Sequence, residues 1–447
     1  MEKSTNLIAY AFSSYSKSAT FARPSEDFAK THATSMDGSS SAATNQLKTP
    51  KRQNADIDSE IFYKAQEKDS VMRDDALRLL LSKGNDAKTL WSFAATLRDL
   101  GKGNRISYSR KVFIPLTNLC RDRCGYCTFR KDPWEKDAKL MTPAEVLSVA
   151  EAGKRFQCTE ALFTLGERPE QRYSEYKNEL KRLGYTTTLE YLRDASELVM
   201  KKTGLLPHAN PGTMNKREIA SLRDVNASMG MMLENASERL CEEGGPHGNA
   251  PSKHPKLRLA TIRNAGELKV AFTTGLLIGI GETPEEIVDS LYAIKQLNNE
   301  FGHIQEVIIQ NFRAKPSTPM VSYPEPSHEV LMNVVAVARI ILGKGMNIQV
   351  PPNLSPNSYA DFISCGINDW GGISPVTKDF VNPESPWPQV SLVKDKCKKY
   401  GHDLRARLPI YPEFILKKEG FLSEAAEDIA YSKIDSEGYV SEDGLRN

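Results

Sequence analysis

The chain has 447 residues, 40% of them hydrophobic, enough to bury one barrel-sized core with extensions. Its 59 basic and 57 acidic side chains leave a formal net charge of +2, so no global basic field draws nucleic acid. No apolar run reaches the roughly 18 residues of a membrane span, since residues 270–280 are interrupted by Thr273, Thr274 and Gly275; neither nucleic acid nor a membrane is expected as a partner.

Residues 1–55 are rich in Ser and Thr, carry Lys17, Arg23, Lys30 and Lys48, and keep no helical or strand period, which predicts a disordered or targeting segment. A transit peptide for a plastid or mitochondrion has that composition, although Glu2, Glu26, Asp27 and Asp37 make this segment more acidic than is usual for one. Residues 56–104 read as a helical N-terminal extension. Leu90, Phe93, Ala94, Leu97 and Leu100 recur at three and four residues, with Gly101 as the stop, and these helices are expected to plug or flank the α/β region after them.

From 105 to 415 short apolar runs alternate with capped helices. Strands are predicted at 112–116, 161–165, 206–210, 229–233, 270–280, 307–312 and 348–351. Thr142 with Glu145, Thr187 with Glu190 and Thr283 with Glu286 have the spacing of capping boxes, two of them with proline in the first turn. Repeated strand, loop and helix means an α/β fold with right-handed crossovers. Seven strands or more in about 300 residues predict a closed (β/α) barrel, TIM-barrel-like, with its chemistry on the loops at the C-terminal ends of the strands. Residues 416–447 remain as a C-terminal tail.

The chemistry-bearing feature is Cys120, Cys124 and Cys127, set as Cys-x3-Cys-x2-Cys on the loop after the first strand, with Tyr126 before the last. A four-iron cluster ordinarily takes four thiolates, so three leave one iron open. A structural zinc site would need four ligands, commonly in two close pairs. Cys158, Cys241, Cys365 and Cys397 are scattered singly and no His lies near the loop. Seven cysteines, three of them clustered, point to a reducing intracellular compartment, the cytoplasm or an organelle.

That loop resembles the radical S-adenosylmethionine (radical SAM) enzymes. The resemblance implies a 4Fe-4S cluster on Cys120, Cys124 and Cys127, with S-adenosyl-L-methionine chelating the open iron. Gly166 and Glu167 occupy the place of that superfamily's Gly-Gly-Glu, with Leu165 in place of the first Gly; a plain Gly-Glu turn is the alternative. Gly275 to Glu282 is similar to its Gly-x-Ile-x-Gly-x-x-Glu strand, which assigns Gly279 and Glu282 to the adenine side; tight barrel packing is the alternative. Tyr126 would face the adenine as well. Asn210 and Glu234, after the third and fourth strands, are candidates for the ribose or methionine moiety, and Arg239 for the SAM carboxylate.

Longer blocks sharpen this. Residues 108–129, 161–170, 228–234, 303–316, 352–355 and 369–375, within a coverage of 85–415, closely resemble the G-type subunit of 7,8-didemethyl-8-hydroxy-5-deazariboflavin (FO) synthase. The resemblance implies closure of the deazaflavin ring, with loss of ammonia, on an adduct of tyrosine and 5-amino-6-(ribitylamino)uracil. With one cysteine triplet in a chain ending at Asn447, the adduct is expected from a separate H-type radical SAM subunit, and electrons from a donor such as flavodoxin or ferredoxin. Substrate contacts are expected from Gln310, Asn311 and Arg313 after the sixth strand, Asn353 after the seventh, and Asp369; for each, a structural hydrogen-bond role is the alternative. His208 is a candidate for proton transfer or a satisfied loop histidine, and no catalytic residue is assigned. Two rival functions stay open: another radical SAM reaction, such as the H-type step or a biotin-synthase-like sulfur insertion, and an iron-sulfur electron carrier, which would need a fourth protein ligand.

Overall fold

The computed structural model describes residues 51–67, 70–417 and 419–445; the segment expected to be disordered or targeting lies, up to residue 50, outside them. Contacts divide the chain into Met1–Arg52 and Gln53–Asn447, and the barrel with its flanking helices belongs to the second unit. Helices α1 (Lys51–Glu67), α2 (Arg73–Leu80) and α3 (Gly84–Lys102) lead into β1 (Arg105–Thr117) and α4 (Pro143–Arg155). Then come β2 (Glu160–Leu165), α5 (Ser174–Arg182), α6 (Thr188–Thr203), β3 (Leu206–Asn210), α7 (Lys216–Arg223), β4 (Ser228–Gly230) and α8 (Pro255–Glu267). The chain continues through β5 (Phe272–Ile278), α9 (Pro284–Phe301), β6 (Ile304–Asn311), α10 (His328–Leu342), β7 (Ile348–Gln349) and β8 (Asp369–Ile373). It ends with α11 (Val390–Lys399), β9 (Asp403–Arg407), α12 (Pro412–Leu416) and α13 (Glu424–Tyr431).

All strands of the sheet run parallel, and β1 to β8 close into a barrel because β1 pairs with both β2 and β8. Strand β9 lies along Arg105 to Ser109 of β1, on the edge that β2 occupies from Lys111 onward, so it extends the barrel at its lower end. β1 therefore starts at Arg105, not at 112. Its first half escapes an apolar-run criterion because Ser107, Ser109 and Lys111 alternate onto a polar inner face: Ser107 bonds Asp369, and Ser109 and Lys111 bond Glu160. β4 is shorter than expected, with Glu234 meeting Leu276 in a separate bridge; β8 and β9 are strands that the hydrophobic pattern did not announce.

The three expected capping boxes form, on α4, α6 and α9, and Asn215 with Glu218 adds a fourth on α7. On α3 the expectation needs correction. The helix runs through Gly101 and stops at Gly103, whose φ of 63° suits the cap, and Leu100 points outward, 57% exposed. Gly101 serves close packing instead: a Cβ there would lie 2.0 Å from the Lys344 carbonyl oxygen. Helix α3 flanks α10, whose residues Leu331 to Leu342 are all buried; Trp91 Nε1 donates to Asn333 Oδ1 at 2.7 Å across that contact.

At the lower end of the barrel, Leu408, Ile410, Ile415, Phe421, Ala426 and Ala430 pack on Leu206, Ala227 and Ala271 at the starts of β3, β4 and β5, closing that end against water. Among the described residues, no helix is long and apolar enough to cross a membrane.

Candidate active site

The cysteine loop leaves β1 at the upper, C-terminal end of the strands and is held from both sides. Arg121 N donates to the Glu167 carbonyl, Arg123 N to that of Asn249 and Gly125 N to that of Pro246, each at 2.8 Å. Side chains lock it further: Ser252 donates to Asp122 through its backbone N–H and hydroxyl, and Arg123 donates to Asp132 at 2.8 Å. Cys120, Cys124 and Cys127 line one cavity of about 270 Å³ with Tyr126, Gly166, Glu167, Asn210 and Glu234. Burial pushes the Cys120 thiol up to about 12, with Asp122 adding to it, and raises Cys124 further.

Several residues singled out from the sequence meet here. Gly166 packs against the loop so closely that a Cβ would lie 1.9 Å from the Leu119 carbonyl oxygen, and the next residue, Glu167, donates its N–H to Cys120 Sγ at 3.1 Å. The Glu167 carboxylate accepts from Thr213 N at 3.0 Å and Thr213 Oγ1 at 2.7 Å, in space that Gly212 leaves free. Tyr126 has its hydroxyl 3.1 Å from His247 Nε2. Glu234 holds a left-handed φ of 65°, rare for a residue with a side chain, and accepts from the Lys253 ammonium. Gln310, Asn311 and Arg313 line the same cavity; Asn311 Nδ2 and Arg313 Nη1 both donate to the Leu354 carbonyl.

Other expected residues stand elsewhere. Gly279 and Glu282 do not line the cavity: the Glu282 carboxylate accepts from Gly279 N at 2.6 Å and Ile280 N at 2.8 Å, closing the turn after β5 on itself. Gly275 packs on β6, where a Cβ would lie 2.2 Å from the Ile308 carbonyl oxygen. Arg239 pairs with Glu286 at 2.7 Å and reaches the Gly281 carbonyl. Asn353 is buried against Asp379, at 3.0 Å. Asp369 opens β8 and so lies at the lower end of the barrel, where Arg407 grips both its oxygens at 2.7 and 2.9 Å.

Sequence reasoning missed a second cavity of about 190 Å³ directly below, which shares Thr164, Asn210 and Gln310 with the first. Its walls carry Lys111, Glu160, His208, Glu306, Gln349 and Arg407, with Phe113 stacked on Trp387 at 5.3 Å between ring centres. Burial pushes Glu160 up, but Lys111, His208 and Arg407 outweigh it and hold the carboxylate below its ordinary range. The available signal was the alternation of polar residues along β1 and the glycines opposite them: a Cβ on Gly372 would lie 1.5 Å from Lys111 Cε. Lys253 and Arg258 of the upper cavity were also missed, since nothing local marks them.

Comparisons with known proteins agree with this geometry. Residues 114–292 match the model of the Radical SAM superfamily. The 7,8-didemethyl-8-hydroxy-5-deazariboflavin synthase of Methanopyrus kandleri is 50% identical over 335 residues, 75% of this chain and 99% of that protein. The synthase of the same name from Methanocaldococcus jannaschii is 46% identical over 83% of this chain and 100% of its own length. An FO synthase of Streptomyces avermitilis is 46% identical over 78% of this chain, which spans 42% of that longer protein. Among solved structures, methylornithine synthase superposes with a TM-score of 0.61 at 18% identity over 77% of this chain and 97% of its own. The FeFe-hydrogenase maturase of Carboxydothermus hydrogenoformans reaches 0.64 at 17% over 85% and 89%; at such identities the likeness concerns the fold alone. With a triple-cysteine loop above a closed parallel barrel and relatives matched over their whole length, the chain belongs to the 7,8-didemethyl-8-hydroxy-5-deazariboflavin synthases, radical SAM enzymes of deazaflavin biosynthesis.

Proposed function

We propose that this enzyme closes the central ring of the deazaflavin on the adduct of tyrosine and 5-amino-6-(ribitylamino)uracil and releases ammonia, a carbon-nitrogen lyase reaction. The observation that carries the reading is the set of three thiols, without a fourth Cys or a His among the described lining residues, on the wall of a cavity that continues into a polar chamber. The donor set fits a 4Fe-4S cluster with one open iron. Three thiols, with no further Cys and no His among the described lining residues, are one short of the four ligands a structural zinc takes, whereas in a cluster each thiolate takes a different iron and the remaining iron stays open.

Cys120, Cys124 and Cys127 would hold the cluster, and Tyr126, Gly166, Glu167, Asn210 and Glu234 would seat S-adenosyl-L-methionine against it. Gly279 and Glu282 act at one remove, by fixing the end of β5. When bound, cluster and SAM together supply a primary carbon radical that removes a hydrogen atom from substrate. The chain's own part is to hold the thiolates, exclude water by closing the barrel below, and orient the adduct with Gln310, Asn311 and Arg313. A separate H-type radical SAM subunit supplies the adduct, and a flavodoxin or ferredoxin the electrons.

The test is anaerobic turnover of reconstituted enzyme with SAM and a strong reductant. From preformed adduct it is expected to release 5'-deoxyadenosine, methionine, ammonia and fluorescent deazaflavin. From tyrosine and the diaminouracil without an H-type partner it should make no deazaflavin. Deazaflavin from those two precursors alone would refute the division of labour, and SAM cleavage without deazaflavin from the adduct would refute the ring closure.

A further inference from the structure

The lower cavity, of about 190 Å³, is smaller than the roughly 300 Å³ or more of a site for a whole drug-sized ligand, so it suits one branch of a substrate. Its charged groups are already engaged with one another. Glu160 accepts from Ser109 and pairs with Lys111; Glu306 accepts from Thr273, Tyr411 and Arg407, and Arg407 also grips Asp369. Such a wall suits a neutral ligand. Two polar side chains on it, Gln349 and His208, are each only 7% exposed and still turn hydrogen-bonding capacity to the cavity. The Gln349 amide makes no hydrogen bond to a described residue, and Gly371, with a φ of 67°, leaves it room: a Cβ there would lie 2.2 Å from Nε2. At His208, Ser228 Oγ gives its one proton to the Pro409 carbonyl at 2.7 Å and so accepts from Nδ1, also 2.7 Å away, which leaves Nε2 as an acceptor. Burial holds this imidazole down at about 4, so it is neutral at pH 7.

We propose that the lower chamber is a polyol subsite that takes the ribityl chain of the substrate, with Gln349 and His208 as its specificity-determining residues. The assignment rests on the ring-closing function proposed for this enzyme, in which the ribityl chain is the branch that the reaction leaves untouched and the product retains. A buried polar group needs a partner. Hydroxyls both donate and accept, so a polyol can satisfy the Gln349 amide at its N–H and C=O and donate to His208 Nε2, while Lys111 has N–H donors beyond the one that faces Glu160. These groups come from β1, β3 and β7 and so surround a chain whose hydroxyls project in several directions. A phenol has a single polar atom, and a uracil ring holds its polar atoms in one plane. Phe113 and Trp387, stacked on each other, add an apolar wall for the C–H side of the chain. The shared wall of Thr164, Asn210 and Gln310 lets one ligand present its tyrosine-derived part to the cysteine loop while its polyol lies below. That division has a chemical consequence. Hydroxyl-bearing carbons give up hydrogen atoms readily, and a chamber below keeps them away from the carbon radical generated beside the cysteine loop.

The experiment measures binding and needs no turnover. Reconstituted holoenzyme, wild type, Gln349→Ala and His208→Asn, is titrated anaerobically with two fluorescent ligands: 7,8-didemethyl-8-hydroxy-5-deazariboflavin, and the same ring system with a methyl group in place of the ribityl chain. Asparagine keeps a donor for Ser228 and removes Nε2. Wild type is expected to bind the ribityl ligand at least about tenfold more tightly than the methyl one, and each variant to weaken it about three- to tenfold, the loss of one hydrogen bond, while the methyl ligand stays within about twofold. Equal wild-type affinities for the two ligands, both ligands weakened alike in the variants, or a ribityl affinity unchanged in both variants would overturn the subsite. If Gln349→Ala loses its iron or its melting transition, His208→Asn decides by the same comparison. Turnover of the adduct is scored separately. A wild type that makes no deazaflavin yet separates the two ligands defeats the ring-closing reading and leaves the polyol chamber standing, whereas an active wild type that binds them equally defeats the subsite alone.

Discussion

Gly166 and Leu119 stand so close that a Cβ on the glycine would lie 1.9 Å from the Leu119 carbonyl oxygen, and it would also lie 2.8 Å from Cys120 Cβ. This contact sets the second strand's loop against the cysteine loop and lets Glu167 N reach the Cys120 sulfur. Gly166→Ala is expected to push the two loops apart, lowering stability by about 1–3 kcal/mol. It should also lower iron and sulfide per chain in reconstituted protein. Full cluster content in that variant would show that the contact is dispensable.

Each of Cys120, Cys124 and Cys127 supplies a thiolate that no neighbouring side chain replaces, so alanine at any of them should abolish the cluster and SAM cleavage. Cys158 and Cys397 are buried away from the cavity, Cys397 accepting from Trp370 Nε1 at 3.3 Å. Alanine at either should leave the reduced spectrum and its response to SAM unchanged. Electron paramagnetic resonance of the five variants checks both halves of the statement.

Asp369→Asn separates a substrate contact from a structural one. The aspartate balances the buried Arg407 guanidinium, which would be left with Glu306 alone. Breaking a buried pair from one side costs about 3–5 kcal/mol, so the melting temperature should drop sharply. KM for the adduct should not change, and a raised KM at unaltered stability would return Asp369 to the substrate site.

Glu286 yields a pH prediction with a definite sign. Hydrogen bonding from Arg239 leads the causes that lower its carboxyl from 4.5 to about 2, Ser237 adding to it against the effect of burial. A depressed folded-state value contributes stability above the unfolded value, lost as pH falls through the folded one. Glu286→Gln keeps the capping-box pattern, so its stability deficit in urea should be full at pH 7, shrink below about 4.5 and vanish near 2. A deficit independent of pH would assign the loss to packing.

Much of this protein was legible in short stretches of sequence. The cysteine spacing, the three capping boxes and the alternation of strand with helix act over a few residues, so each predicts its own local structure wherever the rest of the chain goes. The barrel results because parallel strands joined by right-handed crossovers have few other ways to bury both faces. The lining of the barrel was not legible in the same way. Ser109 and Lys111 look like loop residues until Glu160 on the next strand receives them, and Asp369 looks like a ligand until Arg407, on a strand added at the lower end, takes both its oxygens. His208 looks like a loop histidine until Ser228, on the next strand, meets its Nδ1 at 2.7 Å. A buried polar group must find its partner in space, and these partners come from other strands and from the lower cap, so only the closed tertiary structure decided which side chains are engaged and which atom still faces the cavity.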